Sequence, residues 1–123
     1  MNNNRVRDIK KAQKESQLYQ ILSSLLMQIT IDDTTLLGMS LNRIKLSDDK
    51  GVCTLFFYIP GGTPVFEQKL ARLVLYKASL RKAIASQTSS RYTPQLVFRY
   101  DTEFEQQERI ENLLEKIKKE EPS

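Results

Sequence analysis

The side chains of this sequence with chemistry to offer are cations. Residues 1–14 carry Arg5, Arg7, Lys10, Lys11 and Lys14 against Asp8 alone, and residues 69–91 carry Lys69, Arg72, Lys77, Arg81, Lys82 and Arg91 with no acid. Lys and Arg keep their charge near neutral pH. They neutralise anions, and the planar Arg fork fits phosphate. Residues 101–123 are the opposite, with eight acids against Arg109, Lys116, Lys118 and Lys119, so the net +4 of the chain is +8 over residues 1–100. Two dense basic runs are the electrostatic footprint of a polyanion binder, and nucleic acid fits best. The bland alternative is a solubilising surface on which several of these cations are idle. An anionic membrane fits poorly, because the basic segments lack the Trp- and Phe-rich faces of interfacial helices.

The residue types of an enzyme site are scarce. With no histidine, the commonest general base and metal ligand is missing. Cys53 lies in an apolar strand pattern and reads as a buried, inert thiol; being alone, it forms no internal disulfide. Asp32-Asp33 and Asp48-Asp49 read as turn chemistry rather than a cation site. Gly61-Gly62 lacks the spacing of a phosphate-binding loop. The expectation is no catalytic residue, no metal, no cofactor and no small-molecule substrate.

The elements that position the cations follow from periodicity. A chain of 123 residues with 40% apolar content suits one domain. Its start, Met1-Asn2-Asn3-Asn4-Arg5, has no apolar signal core, and the best candidate span is broken by Gln28, Asp32 and Asp33, so a soluble cytoplasmic protein is expected. Leu18, Ile21, Leu22, Leu25, Leu26 and Ile29 form one face of a helix over residues 8–30, stopped by Asp32-Asp33-Thr34. Leu41, Ile44 and Leu46 mark a strand. Residues 47–51 suit a hairpin turn, and 52–59 form a second strand. After the break at residues 60–64, with Thr63 expected as N-cap and Pro64 as first helical residue, a long helix follows. Its inner side is Phe66, Leu70, Leu73, Val74, Lys77, Leu80 and Ile84, with a bend near 76–80 and an end at 86–90. Pro94 opens a closing strand over 95–100, and Asp101 ends it. Phe104, Ile110, Leu113, Leu114 and Ile117 fall at helical spacing in a tail expected to pack on its own domain. The parts are a basic segment 1–14 continuous with the first helix, a domain over 8–103 and an acidic helix or tail over 104–123. The expected core includes Leu22, Leu25, Phe56, Leu73, Leu96 and Phe98.

Helix, strand, strand, bent helix, strand and tail helix make a small α+β layer with the order of a type-II K-homology (KH-like) fold. The chain resembles the ribosome-binding factor A family over nearly its whole length. The residues that carry the likeness are Asp33-Thr34 after the first helix, Ser47-Asp48-Asp49 after the first strand, and Leu80-Arg81 past the bend. Arg91, Tyr92, Thr93, Pro94, Leu96, Phe98 and Asp101 follow, then Glu105 and Arg109-Ile110. It departs where the family has an Ala-x-Gly interruption: Tyr76 and Ala78 stand there, so a shallower bend, or one at Ser79, is expected. Gln107 stands where the family has Gly.

The resemblance implies a non-enzymatic assembly factor that binds the free 30S small ribosomal subunit and assists 16S rRNA maturation and processing. No Gly-x-x-Gly loop is present, so charge and shape, rather than a single-stranded sequence, are what it would read. The expected RNA-binding residues are Arg5, Arg7, Lys10, Lys11 and Lys14, with Arg72, Lys77, Arg81, Lys82 and Arg91. The protein is expected to be monomeric, with no membrane partner. The competing reading is a protein–protein adaptor with the same fold and no RNA role, supported by the amphipathic acidic tail.

Overall fold

The computed structural model describes residues 2–89 and 91–120; Met1, Ser90 and residues 121–123 lie outside the described residues, among them the last serine of the run expected to end the long helix. The order is α1 (Asn2–Asp32), a 3-10 turn (Thr34–Leu36), β1 (Ser40–Leu46), β2 (Val52–Tyr58), α2 (Thr63–Val74), α3 (Lys77–Gln87), β3 (Gln95–Tyr100) and α4 (Thr102–Glu120). β2 is the central strand, antiparallel to β1 and parallel to β3.

α1 begins six residues earlier than the apolar periodicity suggests, so the basic segment is helical from Asn2 onward. At a rise of 1.5 Å per residue its 31 residues span about 46 Å. Leu18, Leu22 and Leu26 are buried against the sheet, with Ile21, Leu25 and Ile29 half-buried beside them. The helix also guards the β1 edge: Glu15 accepts the Leu46 N–H at 2.9 Å, and the Tyr19 hydroxyl donates to the Leu41 carbonyl at 3.3 Å.

The apolar run of β2 has two explanations, one for each face. Cys53, Leu55 and Phe57 point under the helices and are buried. Phe56, expected in the core, stands instead on the outer face, half-buried under the Arg43 guanidinium at 3.9 Å from its ring. Tyr58, on the same face, meets Phe104 of α4 edge-on, with ring centroids 4.8 Å apart. On β3, Leu96, Phe98 and Tyr100 face the core as their alternation requires.

Three expectations about the long helix are corrected. Thr63 is its first residue and not the cap; Gly62 caps it, and Pro64 falls within the first turn. Gly61 is needed before it, because at φ +103° a Cβ would stand 2.5 Å from Val65. Nor is the bend shallow: the helix breaks fully between Val74 and Lys77. The Leu75 and Tyr76 N–H groups turn back to the Arg72 and Leu73 carbonyls at 3.2 and 3.0 Å, as in a 3-10 turn. Tyr76 sits at φ −89°, ψ −3°, a conformation open to any L-residue, so the break needs no glycine and does not use Ser79. Val74, expected inside, is exposed at the break, whereas Phe66, Leu73, Leu80 and Ile84 are buried.

The tail is corrected as well. α4 does not pack on its own domain: past half-buried Phe104, its apolar residues Ile110, Leu113, Leu114 and Ile117 are exposed. No helix among the described residues is long and apolar enough to cross a membrane.

Phe98 meets Phe57 edge-on, with centroids 5.6 Å apart, in the core beneath the helices. Phe98→Ala therefore costs about 3–5 kcal/mol through lost burial and the cavity left behind. A urea denaturation midpoint measures it, and Phe56→Ala costs clearly less.

Candidate nucleic-acid interface

A strand parallel to its neighbour starts at the same end of the sheet. β3 therefore begins beside the start of β2, and the Gln95 N–H donates to the Gly51 carbonyl at 2.9 Å. The loop leading into β3 thus lies against the β1–β2 turn. α1 passes over that same turn, with Lys11 on Asp48 at 2.9 Å. α3, packed on α1, reaches the loop through Arg81, which donates to the Pro94 carbonyl at 3.1 Å and the Thr93 carbonyl at 3.2 Å. The first half of α1, the turn, the loop and α3 bring cations from both basic runs to one end of the sheet.

Those cations divide by what they already hold. Arg5, Arg7, Lys10, Lys82 and Arg91 are exposed. Lys11 is half-buried in its ion pair with Asp48, and Lys14 is half-buried too. Lys77 lies 5.1 Å from the centre of the Phe98 ring, a cation–π contact that covers the core. Arg81 is the anchor of the loop, so its removal would disturb the fold and not only the charge. Arg99 is exposed on β3.

Two residues that reasoning from sequence misses belong to this end. Lys50 holds the tip of the turn at φ +62°, the left-handed region that a side chain seldom adopts. Its neighbours fix it there: the Lys50 N–H donates to the Ser47 carbonyl at 2.9 Å, and Asp49 accepts from the Ser47 hydroxyl at 2.7 Å and the Gly51 N–H at 2.9 Å. Lys50, Arg7 and Lys11 line a groove of about 570 Å³ with Asp8, Asp48 and Asp49. Tyr92 is the second. The residue is 75% exposed, and its ring lies 5.7 Å from the Arg91 guanidinium; together they offer a base a stacking surface beside a cation. An aromatic next to Arg in a loop is the available signal.

Arg72 is not part of this end. Its Nε donates to buried Asp33 at 2.6 Å, beside the C-terminus of α1. From Lys11 to its end at Asp32 the helix rises about 32 Å. Asp33 also accepts from the Thr35 hydroxyl at 2.6 Å and the Tyr76 hydroxyl at 2.8 Å. The Thr35 bond, then Arg72 and Tyr76, hold its carboxyl well below the usual range. Nearby, the Lys69 ammonium donates to the Thr35 carbonyl. These contacts tie the helix break to the end of α1.

Asp101 does comparable work at the far end of β3. Burial pushes its carboxyl up, but the Arg43 fork at 3.1 and 3.3 Å and the Phe104 N–H at 3.1 Å prevail and hold it low. It thereby starts α4 and links β3 to β1 across β2. Cys53 has no such partner: burial first, then the charge of Glu15, pushes its thiol up to about 12, which leaves it inert.

Comparison with known proteins adds a family to this geometry. Residues 10–114 match the family described as ribosome-binding factor A. The ribosome-binding factor A of Finegoldia magna is 30% identical over 122 residues, covering 98% of this chain and 96% of that one. That of Syntrophomonas wolfei is 36% identical over 83 residues, 68% of each chain. The crystal structure of ribosome-binding factor A from Thermus thermophilus superposes with a TM-score of 0.62 at 24% identity, covering 73% of this chain and 94% of that one. The likeness confirms the KH-like α+β fold.

The Asp33 contacts predict an acid-side signature. A carboxyl whose pKa is lowered by folding stabilises the native state above its unfolded value, near 3.9, and loses that contribution as pH falls toward its folded value. Asp33→Asn should lower the denaturation midpoint at pH 7. The gap between wild type and variant should then narrow progressively below about pH 4. Denaturant titrations at pH 7, 4 and 3 measure this.

Proposed function

Because the chain belongs to the ribosome-binding factor A family, we propose that it is a non-enzymatic assembly factor that binds the free 30S small ribosomal subunit and assists maturation of its 16S rRNA. The observation that supports this reading most is the gathering of Arg5, Arg7, Lys10, Lys50, Lys82 and Arg91 at one end of the fold, with exposed Tyr92 beside them. Lys11 and Lys14 border the same surface. Arg72, Lys77 and Arg81 act on it indirectly, by holding the helix break, the core and the loop.

The chemistry asked of these residues is modest. Cations neutralise phosphates of a structured RNA and release its counterions. Tyr92 stacks on an unpaired base. A binder that fits one rRNA conformer better than another shifts their equilibrium by the difference in affinity, and by no more. Maturation is assisted when the favoured conformer is the one that can be processed. A second reading, the adaptor, gains from the exposed apolar side of α4; weak salt dependence of binding would favour it.

Co-sedimentation of the protein with free small subunits and with whole ribosomes tests the reading directly. The expected result is association with the free subunit and little with the whole ribosome; equal occupancy of both would point to a translation factor. A salt series tests the surface. The logarithm of affinity for small-subunit rRNA should fall linearly with the logarithm of salt concentration, and the slope should shrink by about 0.7–0.9 for each phosphate no longer neutralised. Arg7→Gln/Lys10→Gln and Lys82→Gln should flatten it without changing the fold. Lys50→Asn should do the same, since Asn tolerates the left-handed tip. Arg72→Gln, at the other end, should lower stability and leave the slope at its wild-type value. A wild-type slope in all the end variants would make the charge merely solubilising.

A further inference from the structure

We propose that α4 is a second, protein-binding surface, which lays Ile110, Leu113, Leu114 and Ile117 into an apolar groove with a cationic wall on a basic protein of the small-subunit particle. The choice of particle rests on the assembly-factor reading; the choice of a protein with that groove rests on α4 itself. The four side chains are 58%, 60%, 56% and 49% exposed. Their spacing, i, i+3, i+4 and i+7, is that of the anchors of a helix seated in a groove. A patch of four large apolar side chains on one helix face marks an interaction site more often than an idle surface.

Charge decides among occupants. Glu108, Glu111 and Glu115 fall along one flank of the apolar stripe with Lys118 among them, and Glu111, Leu114, Glu115, Ile117 and Lys118 border a shallow groove of about 580 Å³ beside it. The nearby Arg109 is turned to Glu105 at 2.8 Å, which neutralises it. With three acids against Lys118, that flank is net negative, so it is repelled by RNA and by anionic lipid and attracted by a basic protein surface. A second copy of α4 is a poor occupant. Two such helices side by side would cover four half-exposed side chains from each copy, well short of the roughly 1,200–2,000 Å² of a stable interface. A groove encloses the stripe on more sides and can supply the cationic wall. The basic end and α4 would then grip different components of one particle, RNA with the first and protein with the second.

The test uses the full chain, two α4 variants and two targets. The variants are Leu113→Ser/Leu114→Ser and Glu111→Gln/Glu115→Gln, with circular dichroism and denaturation midpoints as folding controls. The targets are intact small subunits and the protein-free rRNA extracted from them, titrated at one salt concentration. Both variants should lose tenfold or more in affinity for intact subunits and bind the bare rRNA as wild type does. Unchanged affinity for intact subunits, or an equal loss on both targets, would overturn the proposal. So would a wild-type dimer in sedimentation equilibrium that the Leu variant abolishes. Wild-type protein that binds neither target would sink the assembly-factor reading, and the proposed partner with it. Wild-type binding that the variants leave intact would sink only the role of α4.

Discussion

The parallel pairing of β3 with β2 is the constraint on which the arrangement of this protein depends. An antiparallel third strand would enter from the opposite end and carry Arg91 and Tyr92 away from the turn at Lys50. Parallel pairing forces the chain back to the starting end of β2, and a helical crossover is the usual way to do so. α2 and α3 are that crossover. Their basic residues are thus carried past α1, and the acid-free run ends at the same end of the sheet where the basic segment of α1 lies. Segregation of charge along the sequence becomes segregation in space through one strand direction.

Two buried carboxylates fix the corners that this topology creates. Asp33 follows α1 and draws Arg72 and Tyr76 to it, so the break between α2 and α3 is held from outside the crossover. Asp101 follows β3 and draws Arg43 from the opposite edge strand, so the sheet is tied across its width where α4 begins. Each acid ends one element, starts another and accepts several donors, which is how a buried charge is tolerated. The two arginines therefore serve the fold, although from sequence they look no different from the exposed ones.

That similarity explains what the sequence can and cannot disclose. The strands, the stripe of α1 and the closing strand are legible because burial imposes a period on apolar residues, as Leu18, Leu22 and Leu26 or Leu96, Phe98 and Tyr100 do. Phe56 misleads because a run of apolar residues hides which face each one takes, and its cover is a cation and not a helix. The full break at Tyr76 looks shallow from sequence only if glycine is necessary there, whereas the backbone needs no positive φ. Among the cations, spacing locates the basic end but does not separate Arg81 or Arg72 from Lys82 and Arg91. That distinction lies in contacts with residues 12 and 39 positions away. The stripe of α4 is visible as a stripe; that no described residue covers it is known only from the packing.

The lone thiol has a use that its chemistry does not advertise. Cys53 is fully buried in the central strand, and its proton is held far above neutral pH. A thiol reagent does not reach it by fraying of a terminus or a loop, only when the helices lift from the inner face of the sheet or the sheet itself opens. Alkylation of the unmodified protein is therefore a clock for the opening of that core, read from a residue of the central strand. A probe thiol introduced on the surface would meanwhile react at once, without interference from the native one.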